Sequence, residues 1–574
     1  MKSLLLSLRF ATVLTLALPL SAAVKEDLVF QAMQDELARS VAQLKIENLD
    51  KPYFISYRVL ETNSRGAAAS FGGAVSRSES RYRRLTVEVR VGSPALDNTN
   101  FAGPSSMMML AGGSSSSLAI DDNYTELRRQ IWLATDQAYK QAVENLSKKK
   151  AAIQNKTRTD ETPDFSAQEP ATITDRQTTP PLDLAQAEAL VRDLSAVFRE
   201  LPAVATSAVA LAGGTEITRY INSEGSSFVR EEPGITFTVV AGTQADDGFT
   251  LDDHCVLFCR RWADLPPKAE LIAAMRTIGL RLADLRGAAL LEQYNGPVLF
   301  EGQAAVELFS QVFAAQMAAR KRPVAENPAY ERAFAMLENP FLDKIGARVL
   351  PDFLSVTDDP TLTKLGDTPL YGDARVDDEG VPTRMVKLIE NGRLQTLLVS
   401  RSPVRGVLRS TGSMHGGGPL PSNLIVTARE GLDAAALKAE LLKTVQQRGK
   451  DYGVVIRRLA DPLFRVERTA MGVSNRESVR VEPTILAYKV FPDGHEELLR
   501  NVEIAGMSVQ TFKEILAAGR EPYVTTLPFR SASASSYSTV SFAVPALLFE
   551  DVTLKKPSGE IPKPQVAKHP FFDR

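Results

Sequence analysis

Residues 84–91 read Arg-Leu-Thr-Val-Glu-Val-Arg-Val. Leu85, Val87, Val89 and Val91 fall on one side of an extended chain, and Arg84, Thr86, Glu88 and Arg90 on the other. Side chains alternate along a strand, so this pattern predicts an antiparallel sheet with one face on a core and one face in water. Strands are also expected over 53–60 and, from small residues, over 67–74. Ahead of them, Met33, Leu37, Val41 and Leu44 line one stripe of a helix over 26–46. The layout recurs later. Asp183 can cap a helix running to about Arg199, and strands over 204–211, 216–222, 227–230 and 235–241 come after it. Asn222-Ser223-Glu224-Gly225 forms a turn between two of these strands. Helix followed by a strand meander thus occurs twice, which suggests a duplicated layout in one α+β domain.

Between the two halves, 100–122 is loop by composition, and Met107–Met109 could touch a peptide or partner. A helix spans 123–146, with Leu127, Ile131, Ala134 and Ala138 on one stripe. The lysine run Lys148–Lys150 and the polar stretch after it read as a linker or solvated insertion over 147–182. A helix over 268–289 could bridge to a second domain. Beyond Gly296 a helix spans 303–321, and then hairpins dominate. Asn391-Gly392 suits a type I′ turn between strands 385–389 and 394–399. Pro492-Asp493-Gly494-His495 joins strands 485–491 and 498–504. Helices are expected over 432–447 and 508–518, and a late strand over 539–549. The fold class is α+β: a signal peptide over 1–23, an N-terminal helix-plus-antiparallel-sheet domain over 24–295, and a mainly β C-terminal domain over 296–574.

The address comes from MKSLLLSLRFATVLTLALPLSAA at 1–23. Lys2 and Arg9 precede or open an apolar run, and Ser21 and Ala23 place small side chains before a cut. The run is too short for a membrane helix, which needs about 20 apolar residues. The expected location is the periplasm or the outside of the cell.

Among 574 residues, 67 are Lys or Arg and 69 are Asp or Glu, a formal net charge of −2. This excludes a whole-chain basic field for nucleic acid. Two Cys exclude a disulfide scaffold and a four-Cys zinc module, and four His leave little for a His-built metal site. His495-Glu496 is not HExxH, since Leu499 stands where the second His belongs, and the pair sits in a turn. His254, Cys255 and Cys259 form a weak metal candidate, two thiols four apart on a helix face, with two small buried thiols the plainer reading. His415 lies in a Gly-rich loop with Gly416 and Gly417, a substrate-facing loop or plain surface. No GxSxG elbow or phosphate-binding glycine motif is present. The carboxylate runs Asp358-Asp359 and Asp377-Asp378-Glu379 sit in turn-like contexts and read as solvated.

The order of several segments resembles the TldD/PmbA family, also called the modulator-of-DNA-gyrase family. They are Gly296-Pro297-Val298-Leu299-Phe300 leading into the helix at 303–320, the Asn-Gly hairpin running into LVSRSPVRG, Ser410-Thr411-Gly412, Pro419–Leu424, and VEIAG at 502–506. The signal peptide resembles that of a secreted subgroup. The resemblance implies a peptidase-like fold in which catalytic members carry a zinc-binding HExxxH on the helix after the GPV strand, with a Cys ligand from the C-terminal domain. Here the first His position falls on Ser310, the Glu on Gln311 and the second His on Ala315, and both Cys precede residue 260. Neither hydroxyl nor methyl replaces an imidazole, and a neutral amide cannot take a proton from water. The chain therefore resembles the PmbA-type half of the family, which lacks the motif.

That resemblance implies no catalytic residue and no cofactor in this chain, with zinc expected only in a partner subunit. It implies a hetero- or homo-oligomer with a TldD/PmbA paralogue, around a cleft for peptides. On it, His415, Gly416, Gly417 and Asn423 are cleft candidates, and Val306, Phe309, Val312 and Phe313 are core. Two other readings stay open. One is an active peptidase with an atypical site at His415 or at His254, Cys255 and Cys259. The other is a non-enzymatic peptide-binding module of the cell envelope.

Overall fold

The computed structural model describes residues 27–574 except 47–48, 104–114, 155–159, 336–337, 462, 464–480, 532–535, 558–560, 562, 565, 568, 571 and 573–574. The expected signal peptide and Met107–Met109 lie outside the described residues.

The alternation at 84–91 belongs to a strand running Gly73–Ser93. It pairs antiparallel with Pro52–Ser70 across a tight turn at Phe71 and Gly72, whose φ angles are 46° and 79°. The small-residue strand expected over 67–74 is thus the tip of this hairpin; its glycines permit the reversal. A second long hairpin joins Thr206–Asn222 to Ser227–Gln244 through the turn at 222–225, with Gly225 at φ 99°. Each of its strands merges two expected ones. Gly213-Gly214 reads as a break but lies in register, because a Cβ on Gly214 would come within 2.1 Å of the Asn63 carbonyl on the neighbouring strand.

The two hairpins join antiparallel along Ser56–Ala69 and Val209–Asn222, the centre of a sheet of eight strands among the described residues. Helices Leu28–Gln43 and Tyr124–Gln154 cover one end of it, packing on Ile55, Tyr57, Val59, Leu85 and Val89. Helices Leu184–Ala196 and Lys268–Gly287 cover the other end, packing on Ala67, Val209, Leu211, Phe237 and Val239. The last of these, expected as a possible bridge between domains, closes this core, packs near Leu498, and leads into Ala289–Leu290, which pairs with Leu499 and Arg500 of the second unit. Asp27 and Asp183 cap their helices, accepting from the Phe30 N–H and from the Ala185 and Gln186 N–H groups.

The opposite face of the sheet is not the wet face expected. Register puts Phe54, Arg58, Arg90, Tyr220, Phe228 and Arg230 on it, and Arg90 is only 3% exposed. Part of its cover is the stretch read as a solvated insertion. Lys149 is buried at the end of its helix, its Nζ donating to the Asp97 and Thr99 carbonyls and to Asp164. Phe165 is buried between the guanidinium planes of Arg90 and Arg401, 3.8 and 3.9 Å from its ring centre. Thr172–Arg176 is a strand parallel to Ser227–Glu231. Composition reports the polarity of this stretch but not that its charges find partners.

The C-terminal unit is built on Ser538–Lys555, an 18-residue strand. It pairs with Gln293–Phe300, Asn423–Ala428, Glu503–Ala505 and Ile515–Phe529 within a mixed sheet of twelve strands among the described residues. Both expected hairpins form, with Asn391 and Gly392 at φ 48° and 74° and Gly494 at 89°. The helix expected over 508–518 is only a 3₁₀ turn at Thr511–Glu514 before the strand Ile515–Phe529, whose long pairing overrides the local pattern. Helix Ala434–Gln447 packs outside the sheet on Leu299, Val455 and Leu548. No helix of the described residues is long and apolar enough to cross a membrane.

Candidate functional site

After Phe300 the chain reverses at Gly302, φ 58°, and enters the segment expected as one helix over 303–321. It is broken: an α-turn at Gln303–Leu308, a π-turn at Phe309–Phe313 and a 3₁₀ turn at Ala314–Gln316. Val306, Phe309, Val312 and Phe313 are at most 1% exposed, as expected for core. Phe309 and Phe313 meet each other, and both meet Phe512, with ring centres 5.0–5.9 Å apart. This aromatic packing fixes the segment, and the π-turn rotates the chain from Ala314 onward.

All three motif positions are taken up by the fold. The Ser310 hydroxyl donates to the Glu307 carbonyl at 3.0 Å. The Gln311 amide is used at both ends, donating to the Ala460 carbonyl at 3.0 Å and accepting from the Glu482 N–H at 2.9 Å. Ala315 packs on the core. This donor set does not fit a zinc ion: one hydroxyl and one amide, both engaged internally, and one methyl. Beside them lies Glu307, 2% exposed, accepting from the Leu459 N–H at 2.5 Å and from Gln303 at 2.8 Å. Burial pushes its carboxyl up to about 8, against the pull of Arg458 and the Leu459 amide.

The loop carrying His415 is held by a run of carboxylates whose turn-like context reads as solvated. Asp377 is fully buried and accepts from the N–H groups of Glu379, Val381 and Met414. Burial, with the Glu379 charge nearby, pushes its carboxyl well above the ordinary carboxylate range. Asp378 accepts from Arg58 at 2.7 Å and from Arg230 at 2.9 Å, both from the N-terminal sheet. Burial alone would raise it, but the two guanidinium groups outweigh burial and hold it at about 2. Glu379 accepts from the Arg401 N–H at 2.6 Å. Arg401 is 1% exposed and reaches the Ser166 carbonyl and, at 2.7 Å, Glu224 of the 222–225 turn. These carboxylates therefore dock one unit on the other. Their turn context was legible, but Arg58 and Arg230, which bury Asp378, sit over 140 residues away in the chain.

His415 pairs with Gly418 in a two-residue ladder, and Gly416 and Gly417 take φ of 55° and 80°. Its Nε2 is buried without a hydrogen-bond partner among the described residues. Burial lowers its pKa and Arg230 adds to this, against the pull of Asp378, so the ring is neutral at pH 7. Arg320, at the end of the motif segment, donates to the Gly417 carbonyl at 3.0 Å, so the segment and the loop meet. Asn423 does not belong with them. It is fully buried, donates to the Asp359 and Leu362 carbonyls and accepts from the Gly372 N–H. It is a structural residue rather than a cleft residue. Asp358 is likewise buried, accepting from the Ser422 N–H, and burial raises it to about 7.

The segment with His254, Cys255 and Cys259 is a strand, Thr250–Cys259, not a helix. Four residues along a strand separate the two thiols by about 13 Å, and His254 points to the other face. Both Cys are free, and burial pushes Cys259 up to about 12. Burial, with Arg458 and Arg281, lowers His254 to about 3. Among the described residues no group of three or more His, Cys, Asp or Glu could hold a metal ion.

Residues 293–556 match the family described as the PmbA/TldA metallopeptidase C-terminal domain. The chain is 33% identical over 130 residues to the metalloprotease PmbA of Escherichia coli O157:H7, covering 22% of this chain and 24% of that relative. It is 43% identical over 79 residues to a metalloprotease PmbA homologue of Haemophilus influenzae, covering 13% of this chain and 16% of that one. The aligned parts thus span under a quarter of these relatives. The fold matches over far more. A crystal structure described as a putative modulator of DNA gyrase from Thermotoga maritima superposes with a TM-score of 0.59 at 16% identity, over 91% of this chain and 99% of that one. TldE from Thermococcus kodakarensis does so with a TM-score of 0.55 at 15% identity, over 91% and 99%. Residues 293–556 thus belong to the TldD/PmbA family, and the chain as a whole shares the fold of these structures.

Proposed function

We propose that this chain is a secreted, zinc-free TldD/PmbA-type protein that acts in peptide proteolysis as the non-catalytic partner of a zinc-bearing paralogue. One observation carries the reading: Ser310, Gln311 and Ala315 stand where catalytic members would grip the ion, and their side chains are spent on internal bonds and packing. In this role the segment at 303–316 and the His415 loop form part of the wall of a cleft for extended peptides. The signal-like residues 1–23 support a location in the periplasm or outside the cell. The test is a pull-down from the native envelope, then metal analysis of each separated subunit. The expected result is a co-purifying HExxxH protein that carries zinc, with none held stoichiometrically by this chain. One tightly held zinc per copy of this chain overturns it.

A second reading, an atypical peptidase centred on His415, is favoured by the buried Nε2, which has no partner among the described residues. It requires that the purified chain cleave peptides and that His415→Ala abolish cleavage while the fold stays intact.

A further inference from the structure

The strand Gly73–Ser93 leaves an open edge. Its inner edge pairs with Pro52–Ser70 throughout. Its outer edge pairs with Ser115–Leu118 only at Arg83–Thr86, and with Leu96–Asp97 only at Gly92–Ser93. Among the described residues nothing pairs with the outer edge from Ala74 to Tyr82, and that whole stretch is exposed, Val75 by 69% and Tyr82 by 41%. An unpaired edge presents a row of main-chain donors and acceptors that another strand can take. This one carries no Lys or Pro. A register shift at Val75 sets the limit of its regular part, which runs from Ser76 onward.

We propose that residues Ser76–Ser80 pair antiparallel with the same residues of a second copy of this chain, about a two-fold axis at Ser78. The argument is charge complementarity. With the axis at Ser78, Arg77 of each copy faces Glu79 of the other, and Ser76 faces Ser80, so both charges are matched twice. An axis at Glu79 sets Arg77 against Arg81, and an axis at Arg77 sets that residue against itself. Like charges directly opposite destabilise a pair of strands. An axis at Ser80 sets Arg77 against Arg83, which is buried on Glu61 and Asp122 with its edge already paired to Leu118. One symmetric register therefore satisfies the strand. Within each copy Glu79 accepts from Arg65 at 2.8 Å and Arg77 lies 3.6 Å from Glu188, yet the Arg77 and Glu79 side chains stay 57% and 61% exposed and open to a second copy. The contact joins two sheets into one continuous sheet and leaves the His415 loop untouched.

The interface involves this chain with itself and is read on the purified chain alone. Its failure therefore leaves the pairing with a zinc-bearing paralogue standing, and the converse also holds. Sedimentation velocity on the purified chain is expected to show a concentration-dependent dimer. Arg77→Glu sets Glu against Glu and weakens self-association by about tenfold or more, while the double variant Arg77→Glu/Glu79→Arg restores it. Under oxidation, Ser78→Cys cross-links two copies, because residues facing across antiparallel strands have Cβ atoms about 5 Å apart. Ser76→Cys does not, its two copies being about 13 Å apart. All these positions are exposed, and unchanged thermal midpoints confirm the fold. A chain that stays monomeric overturns the proposal. So does a dimer that Arg77→Glu leaves intact, or a Ser78→Cys protein that cross-links no faster than the Ser76→Cys protein.

Discussion

Glu307→Gln is the change whose consequence is tied most directly to the geometry. Glu307 is 2% exposed, and burial raises its carboxyl from 4.5 to about 8. In the unfolded chain the same carboxyl loses its proton near its ordinary value. Between those two pH values the folded state holds a proton that the unfolded state has released, so stability falls as pH rises. The slope is about 1.4 kcal/mol per pH unit, and across the window the penalty grows to about 5 kcal/mol. Glutamine keeps the shape and one acceptor for the Leu459 N–H, and its neutral amide stands in for the protonated acid. The variant should match the wild type near pH 5 and be more stable than it by about 3–5 kcal/mol near pH 8. Asp358 and Asp377 are also raised by burial, but they titrate equally in both proteins and drop out of the difference. Urea midpoints at pH 5, 6, 7 and 8 measure it. Parallel curves across that range refute the reasoning, as does a gap that widens toward acid.

The same contacts set three other outcomes. Asn423→Ala leaves two carbonyls and one N–H buried without their partner and should cost about 3–5 kcal/mol in urea unfolding. Arg401→Ala strips a buried cation from Phe165, Ser166 and Glu224 and should cost about 2–4 kcal/mol, with faster proteolysis within 160–166 as its local signature. Ser310→His/Gln311→Glu/Ala315→His should bind no stoichiometric zinc by metal analysis, since no further ligand is gathered there among the described residues, and it should be less stable than the wild type by about 2–3 kcal/mol.

The alternation at 84–91 correctly announced an antiparallel sheet, and the Asp183 cap and the Asn-Gly turn were legible because each acts within a few residues. The misleading signals were those whose partners lie far off in the chain. A strand face bearing Arg84, Glu88 and Arg90 reads as wet, and only the fold supplies the distant Phe165 that stacks on Arg90. Asp377-Asp378-Glu379 reads as solvated until Arg58 and Arg230 arrive from the other unit. The thiol pair four apart fits a helix or a strand equally, and the strand excludes their meeting. The motif segment carries a helical pattern throughout, and its π-turn is set by aromatic packing against Phe512, about 200 residues later.

Ser310, Gln311 and Ala315, where the resemblance places the ligands, raise the question of what ties this segment to its surroundings. In the motif that the resemblance implies, an ion would join the helix to a C-terminal Cys. Here Gln311 makes a neutral tie of the same kind, one amide bridging Ala460 and Glu482 on either side of residues 464–480 in the sequence. Two such bonds contribute about 1–3 kcal/mol together, far less than a structural metal, but they need no ion and vary little with pH. Glu307 adds a third tie at Leu459 that is neutral while its carboxyl keeps the proton. The segment's place is thus set by uncharged bonds and by the rings of Phe309, Phe313 and Phe512. Placing His and Glu at these positions would cut the Gln311 tie before any metal could replace it. That is why such a change is expected to cost stability without gaining zinc.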